Sequence, residues 1–291
     1  MTSLYPLPKA EGGMAMQRTR GAGRLSVKLS AGQSRIDRLF QEGSARIRLP
    51  RVARGAPLEA VLINTAGGLT GGDRMDWHFE AGEGASLLLT TQACEKTYKA
   101  QGDSEARVSV QLKLNAGSSL AWLPQETILF DRARLARSID VDMAPGARLL
   151  MVEPLVYGRL AMREAVTEGQ FHDRWRIREA GHLVHAEDMR LGPMISKALS
   201  RPAVASGGLA MATVLMIAPD AEARLADVRR LIGGSGGASH MMMPPGAGQG
   251  AGTGKLLARI VAGDSYELRK VLVPLIRLLN PAGGMPKVWS I

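Results

Sequence analysis

From about residue 23 to residue 218 the chain alternates apolar and polar positions with a period of two. In Ala106-Arg-Val-Ser-Val-Gln-Leu-Lys-Leu114, Val108, Val110, Leu112 and Leu114 share one face and Arg107, Ser109, Gln111 and Lys113 the other. Leu135–Asp142, Phe171–Arg178 and Leu209–Ile217 follow the same rule, so the pattern predicts a mainly β body. Three tetrads, Gly84-Ala-Ser-Leu87, Gly117-Ser-Ser-Leu120 and Gly146-Ala-Arg-Leu149, each open an apolar strand after a short polar turn and recur at about 30-residue spacing. Such a recurrence predicts one unit repeated and stacked as a β-helix or solenoid, with hairpins in a sandwich as the alternative. Each copy ends in a polar residue, Gln92, Gln125 or Glu153, and stacked coils would set these three in a row along one edge.

The period changes near the C-terminus. Pro219–Ile232 opens with proline and acids, closes with basic residues and stops at Gly233-Gly234, which predicts a helix. Asp264–Leu279 predicts a second, with Pro274 placed to kink it. Residues 233–254 between them read as a Gly/Met-rich loop and flexible linker. Within it, Gly248-Gln-Gly-Ala-Gly-Thr-Gly-Lys255 only imitates a phosphate loop: Gln249 stands where the first glycine belongs, and Leu256 replaces the Ser or Thr that would bind Mg²⁺. Residues 1–22, rich in Pro and Gly, read as a flexible lead-in. The expected organisation is thus 1–22, a β-rich body over 23–218, and a helix-containing region over 219–291.

Composition narrows the function classes. The 291 residues are 45% hydrophobic and 22% charged, with a formal net charge of +10 and a pI near 10.2. That charge would draw nucleic acid, anionic membrane or an acidic protein. Aromatics at 4% leave little for base stacking, and the basic residues are dispersed. Arg46, Arg48, Arg51 and Arg54, and again Arg132, Arg134 and Arg137, have the spacing of solvent-facing strand positions, so a protein-partner surface is favoured over nucleic acid. Cys94 is the single cysteine, and no 18-residue apolar run or signal-like segment occurs, so a soluble cytoplasmic protein is expected, with no membrane partner.

The densest local feature is Asn64-Thr-Ala-Gly-Gly-Leu-Thr-Gly-Gly-Asp73, directly after the apolar run Ala60–Ile63. It lacks the lysine of a P-loop and runs into a strand-like segment rather than the helix of a dinucleotide site. Gly67, Gly68, Gly71 and Gly72 therefore read as backbone shaping, in a hairpin or in a functional loop that positions Asp73. Asp73 with Thr70 or Thr91 could serve a glycine-loop enzyme. No Gly-x-Ser-x-Gly elbow is present, and Lys96 beside Cys94 could lower that thiol's pKa. His182 and His185, three apart in a strand-like run, point to opposite faces and do not chelate together. Asp73, Glu153 and Glu187 each adjoin an apolar stretch, where a carboxylate needs either an arginine, such as Arg159 or Arg190, or a divalent cation moving between oxygen ligands.

Five segments in order carry a resemblance: Asn64–Asp73, Thr90-Thr-Gln-Ala-Cys-Glu-Lys-Thr-Tyr98, Trp122-Leu-Pro-Gln-Glu-Thr-Ile128, Glu153-Pro-Leu-Val-Tyr-Gly-Arg159 and Pro286-Lys-Val-Trp289. Together they resemble the urease accessory protein family UreD, also called UreH, most closely over residues 59–191. The resemblance implies a non-enzymatic scaffold of β-helix-like fold that binds apo-urease with accessory proteins F and G, so that GTP hydrolysis by G is coupled to nickel delivery. It implies no tightly bound cofactor, only transient Ni²⁺ in an internal passage, with Asp73, Glu153 and Glu187 at positions where the family places acids. One departure is Arg163, where the family usually has glycine before the glutamate that is here Glu164.

Overall fold

The structure is a computed structural model and describes residues 18–159, 162, 164–243 and 254–290. A hairpin of β1 (Arg20–Ser30) and β2 (Gln33–Gly43) leads through β3 (Ala45–Arg48) into a series of coils. The chain then alternates between two sheets: β4 (Leu58–Asn64), β5 (Arg74–Ala81), β6 (Ser86–Thr91), β8 (Ala106–Leu114), β9 (Ser119–Leu123), β11 (Arg134–Met143), β12 (Arg148–Tyr157) and β13 (Gln170–Glu179). Like strands of successive coils pair in parallel, β5 with β8, β8 with β11 and β11 with β13 in one sheet, β4 with β6, β6 with β9 and β9 with β12 in the other. Short strands β7 (Glu95–Thr97) and β10 (Thr127–Leu129) pair in parallel with each other, and β10 with the end of β12, making a third, narrow side. The result is the solenoid-like stack that the repeat predicts.

The three tetrad glycines explain the period. Gly84, Gly117 and Gly146 hold φ of 64°, 64° and 76° at the corners that open β6, β9 and β12, a conformation that side chains other than glycine's resist. Antiparallel strands extend both sheets: β14 (His182–Leu191) beside β13, and β15 (Ala210–Ala218), β17 (Gly254–Ala262) and β16 (Gly236–Met242) beyond β12. A short helix α1 (Ile195–Leu199) links β14 to β15. Helices α2 (Ala221–Ile232) and α3 (Ser265–Leu279) fall where the caps predict them, α3 with Asp264 accepting from the Glu267 N–H at 2.8 Å.

Two apolar layers hold this together. Between the sheets lie Phe79, Leu89, Leu112, Ile139, Leu149 and Trp175; between the larger sheet and its two helices lie Leu150, Val152, Val214, Leu256, Leu272 and Trp289. Strand β12 contributes to both layers, which is why Leu149–Val152 reads as an unbroken apolar run rather than an alternating one.

Two expectations require correction. Residues 236–242 are not loop but the edge strand β16, in antiparallel register from Gly236↔Ile260 to Met242↔Gly254. Its side chains lack a buried face, so no alternation marks it, and a Cβ on Gly236 would sit 1.9 Å from the Arg259 carbonyl oxygen. Residues 244–253, with most of the imitation phosphate loop, lie outside the described residues. At the N-terminus, residues 1–17 of the expected lead-in also lie outside them, but Arg20–Ala22 already belong to β1. Glycine in this stretch reads as flexibility, whereas a Cβ on Gly21 would lie 2.7 Å from the Ala45 nitrogen and one on Gly23 2.3 Å from the Trp77 ring: these glycines are there for close approach.

Candidate functional site

The glycine segment is a corner of the first coil, joining β4 to β5. Leu69 is buried at its centre and pairs with the next coil, its N–H donating to the Lys96 oxygen and its oxygen accepting from the Tyr98 N–H, both at 2.7 Å. Gly67, Gly68 and Gly72 have φ of 77°, 151° and 92°, and a Cβ on Gly71 would lie 2.4 Å from the Ser104 oxygen. Asp73 closes the corner: its carboxylate accepts from the Thr19 N–H and the Thr70 N–H, each at 2.8 Å. The glycines shape the backbone and Asp73 is held in place, with its oxygens engaged by amides.

Glu153 occupies a different environment. It projects from β12 into the space between the sheets, where it accepts from Trp122 Nε1 at 2.6 Å and from the guanidinium of Arg137 on β11. Arg137 simultaneously forks onto Asp173 of β13, at 2.9 and 2.7 Å, and donates to Thr127 Oγ1 at 3.3 Å; Trp175 Nε1 adds a bond to Asp173 at 3.0 Å. One cation thus serves two buried carboxylates. Burial pushes the Glu153 carboxyl up to about 7; Arg137 opposes this and Asp173 reinforces it.

Arg137 corrects the reading of its group as solvent-facing. In β11 it shares the phase of Leu135, Ile139 and Val141, so it points inward and is 7% exposed. Arg132 and Arg134 follow the expectation more closely, meeting Glu168 and Asp103 near the surface.

Next to this cluster runs a narrow cavity of about 60 Å³ lined by Trp77, Glu95, Trp122, Gln125, Arg137 and Glu153. Glu95, whose carboxyl burial pushes up to about 7 against a bond from Asn64 Nδ2 at 3.1 Å, also lines a mouth of about 270 Å³ with Asn64, Gln92, Cys94 and Lys96. A second depression, of about 390 Å³, adjoins it at Gln92 and Cys94 and is bounded by Gln125, Glu126 and Arg269 of α3. The Gln125 amide donates to the oxygens of Thr91 and Gln92 at 3.2 and 2.9 Å, so two members of the expected row touch, while Glu153 turns inward. Burial would raise Glu126, yet Arg269 at 2.6 and 2.7 Å outweighs it and holds that carboxyl below its usual range.

The remaining candidates lie apart from this line. Glu187 on the edge strand β14 accepts from Arg259 of β17, tying the two sheets together, and its main-chain oxygen accepts from Arg176 at 2.9 Å. Arginine partners do meet Glu153 and Glu187, but they are Arg137 and Arg259. Arg159 instead pairs with Glu164 at 2.8 Å and lies over the Phe130 ring, and Arg190 pairs with Asp188. Arg163 lies outside the described residues. Lys96 does not activate Cys94: burial and Glu126 push that thiol up to about 11. His182 is exposed and His185 buried, but a bulge at Val184 pairs them with Glu179 and Ile177, which share one face of β13, so the alternation that the spacing predicts is broken there. Among the described residues no three of His, Cys, Asp and Glu converge to hold a metal ion. Sequence reasoning missed Glu95, Asp173 and Arg269. Asp173 was legible, since it shares the inward phase of Phe171, Trp175 and Ile177.

Known proteins agree with the resemblance. The profile of the family described as UreD urease accessory protein matches residues 19–290. A urease accessory protein UreD of Mesorhizobium japonicum is 53% identical over 275 residues, covering 94% of this chain and 95% of the relative. A urease accessory protein UreD of Brucella suis is 51% identical over 276 residues, covering 95% and 96%. The similarity spans the glycine corner, the buried cluster and the C-terminal helices alike, and the chain therefore belongs to the UreD family of urease accessory proteins.

Proposed function

We propose that this chain is a cytoplasmic maturation scaffold that binds apo-urease together with accessory proteins F and G and supports GTP-dependent insertion of nickel. The observation that carries the reading is the full-length kinship to urease accessory proteins. The chain's own part is to bind and to route, with nickel as cargo. The polar line from Gln92 and Glu95 to Glu153 supports a path for a divalent cation, because carboxylates that titrate near neutrality can exchange a proton for a metal ion and release it again. In this reading Glu153, with Glu95, is the way-station. Asp73 shapes the entrance corner, and Glu187 ties one sheet to the other.

Co-expression with the urease subunits and the other accessory proteins tests both levels. Urease activation that is complete without this chain would end the maturation reading. Glu95→Gln and Glu153→Gln are expected to lower urease nickel content while pull-down of apo-urease with accessory protein F persists; unchanged nickel content in both would sink the path alone. Asp73→Ala and Glu187→Ala are expected to act through stability and assembly.

A further inference from the structure

The helices cover the larger sheet only, and among the described residues no layer covers the outer face of the seven-stranded sheet. Its register sets three arginines side by side: Arg20 of β1 opposite Arg74 of β5, and Arg74 opposite Arg107 of β8. Each is exposed and flanked by inward residues, so all three stems leave the same face at the strand spacing of about 4.8 Å. Like charges directly opposite one another destabilise a sheet. Arg107 has a surface partner in Glu105 at 3.1 Å, but neither Arg20 nor Arg74 makes a side-chain ion pair or hydrogen bond among the described residues.

One register step along, Ser109 and Ser138, paired with each other in the outward phase, line a groove of about 330 Å³ with Arg74, Arg107, His172 and Arg174. Cations stacked against their own repulsion beside hydroxyl donors are a local conflict that an anionic ligand resolves.

We propose that this face binds the carboxylates of an acidic segment of a partner protein. Protein rather than nucleic acid fits because Asp76 lines the same groove, Asp140 and Asp188 share the face, and no Phe, Tyr or Trp lines the groove: a uniform phosphate backbone would meet those acids with little for bases to stack on. The site is defined by its chemistry and stands independently of the maturation reading.

The test is binding of the full-length chain to poly-L-glutamate and, separately, to duplex DNA at about 0.15 M salt. Arg74→Glu with Arg107→Glu is expected to weaken polyglutamate binding about tenfold, and Arg74→Gln with Arg107→Gln about threefold, without lowering the melting temperature. Arg51→Glu with Arg54→Glu, the same charge change at exposed positions before β4, is expected to cost much less. Equal losses from both reversals would show an effect of net charge alone and overturn the site. Tighter binding to DNA, lost in the Arg74 and Arg107 variants, would overturn the choice of a protein partner. No urease is needed, so failure here leaves the maturation reading untouched.

Discussion

Replacing Glu153 by Gln tests whether the buried cluster carries surplus negative charge. Arg137 faces Glu153 and Asp173 together, all within the sheet interior, so two ionised carboxylates leave a net charge of −1 where water is excluded. Burial raises the Glu153 carboxyl from 4.5 to about 7, so the folded state holds a proton that the unfolded chain releases. For a raised carboxylate the sign is fixed: stability is highest below pH 4.5, falls as pH rises towards 7, and above both values has lost about 3 kcal/mol at 1.36 kcal/mol per unit. Gln mimics the protonated acid and cannot titrate. Its amide turns a donor towards Arg137, which costs about 1–2 kcal/mol at every pH. The variant is therefore expected to be less stable than the parent at pH 5 and equal to it or about 1–2 kcal/mol more stable at pH 8. Urea unfolding followed by tryptophan fluorescence reads this directly, because Trp122 and Trp175 both bond the cluster. A deficit that stays constant or widens between pH 5 and pH 8 would refute the reasoning, since it would mean that the pair is ionised and stabilising throughout.

Two further expectations concern packing. Gly68→Ala should destabilise by about 2–4 kcal/mol, because its Cβ would meet the Tyr98 ring at 2.4 Å and the Lys96 oxygen at 2.8 Å, whereas Gly67→Ala, with open space around it, should cost about 1 kcal/mol from backbone strain alone; thermal unfolding of the pair separates the two costs. Trp289→Ala should cost about 3–5 kcal/mol in urea unfolding, since the ring is buried under Arg269 and donates to the Leu123 oxygen at 3.0 Å; a cost below about 1 kcal/mol would mean that the C-terminal turn is not docked.

Much of the fold was legible because the coil repeats its local chemistry. A glycine with positive φ, an inward leucine and an alternating strand recur in each turn, so period and corner were readable without knowing which strands pair. The edges were less legible. Strand β16 is held by main-chain bonds to β17, and nothing in its side chains records that pairing. The glycines at the start of β1 misled for a related reason: absence of a side chain signals freedom in an isolated peptide but proximity when Ala45 and Met75 crowd Gly21 and the Trp77 ring lies over Gly23.

The site was half legible, and the divide follows phase. Asp73 stood out because glycines surround it, yet its carboxylate completes a turn. Glu153 stood out because it ends an apolar run, and it is the buried acid. Its partners were as visible in principle: Arg137 stands between Leu135 and Ile139, and Asp173 between Phe171 and Trp175, each interrupting the apolar phase of its strand. A charged residue in the apolar phase must be compensated from a facing strand, because the desolvation of a lone buried ion exceeds what one apolar position contributes. Two opposite charges in that phase on strands one coil apart therefore predict each other, and Glu153 on the facing sheet makes the third member. The same logic run on the solvent phase finds Arg20 and Arg74, which make no ion pair among the described residues, beside Arg107, whose partner is the exposed Glu105. The inward set balances within the chain but for one proton, while the outward set leaves its charge for something outside it.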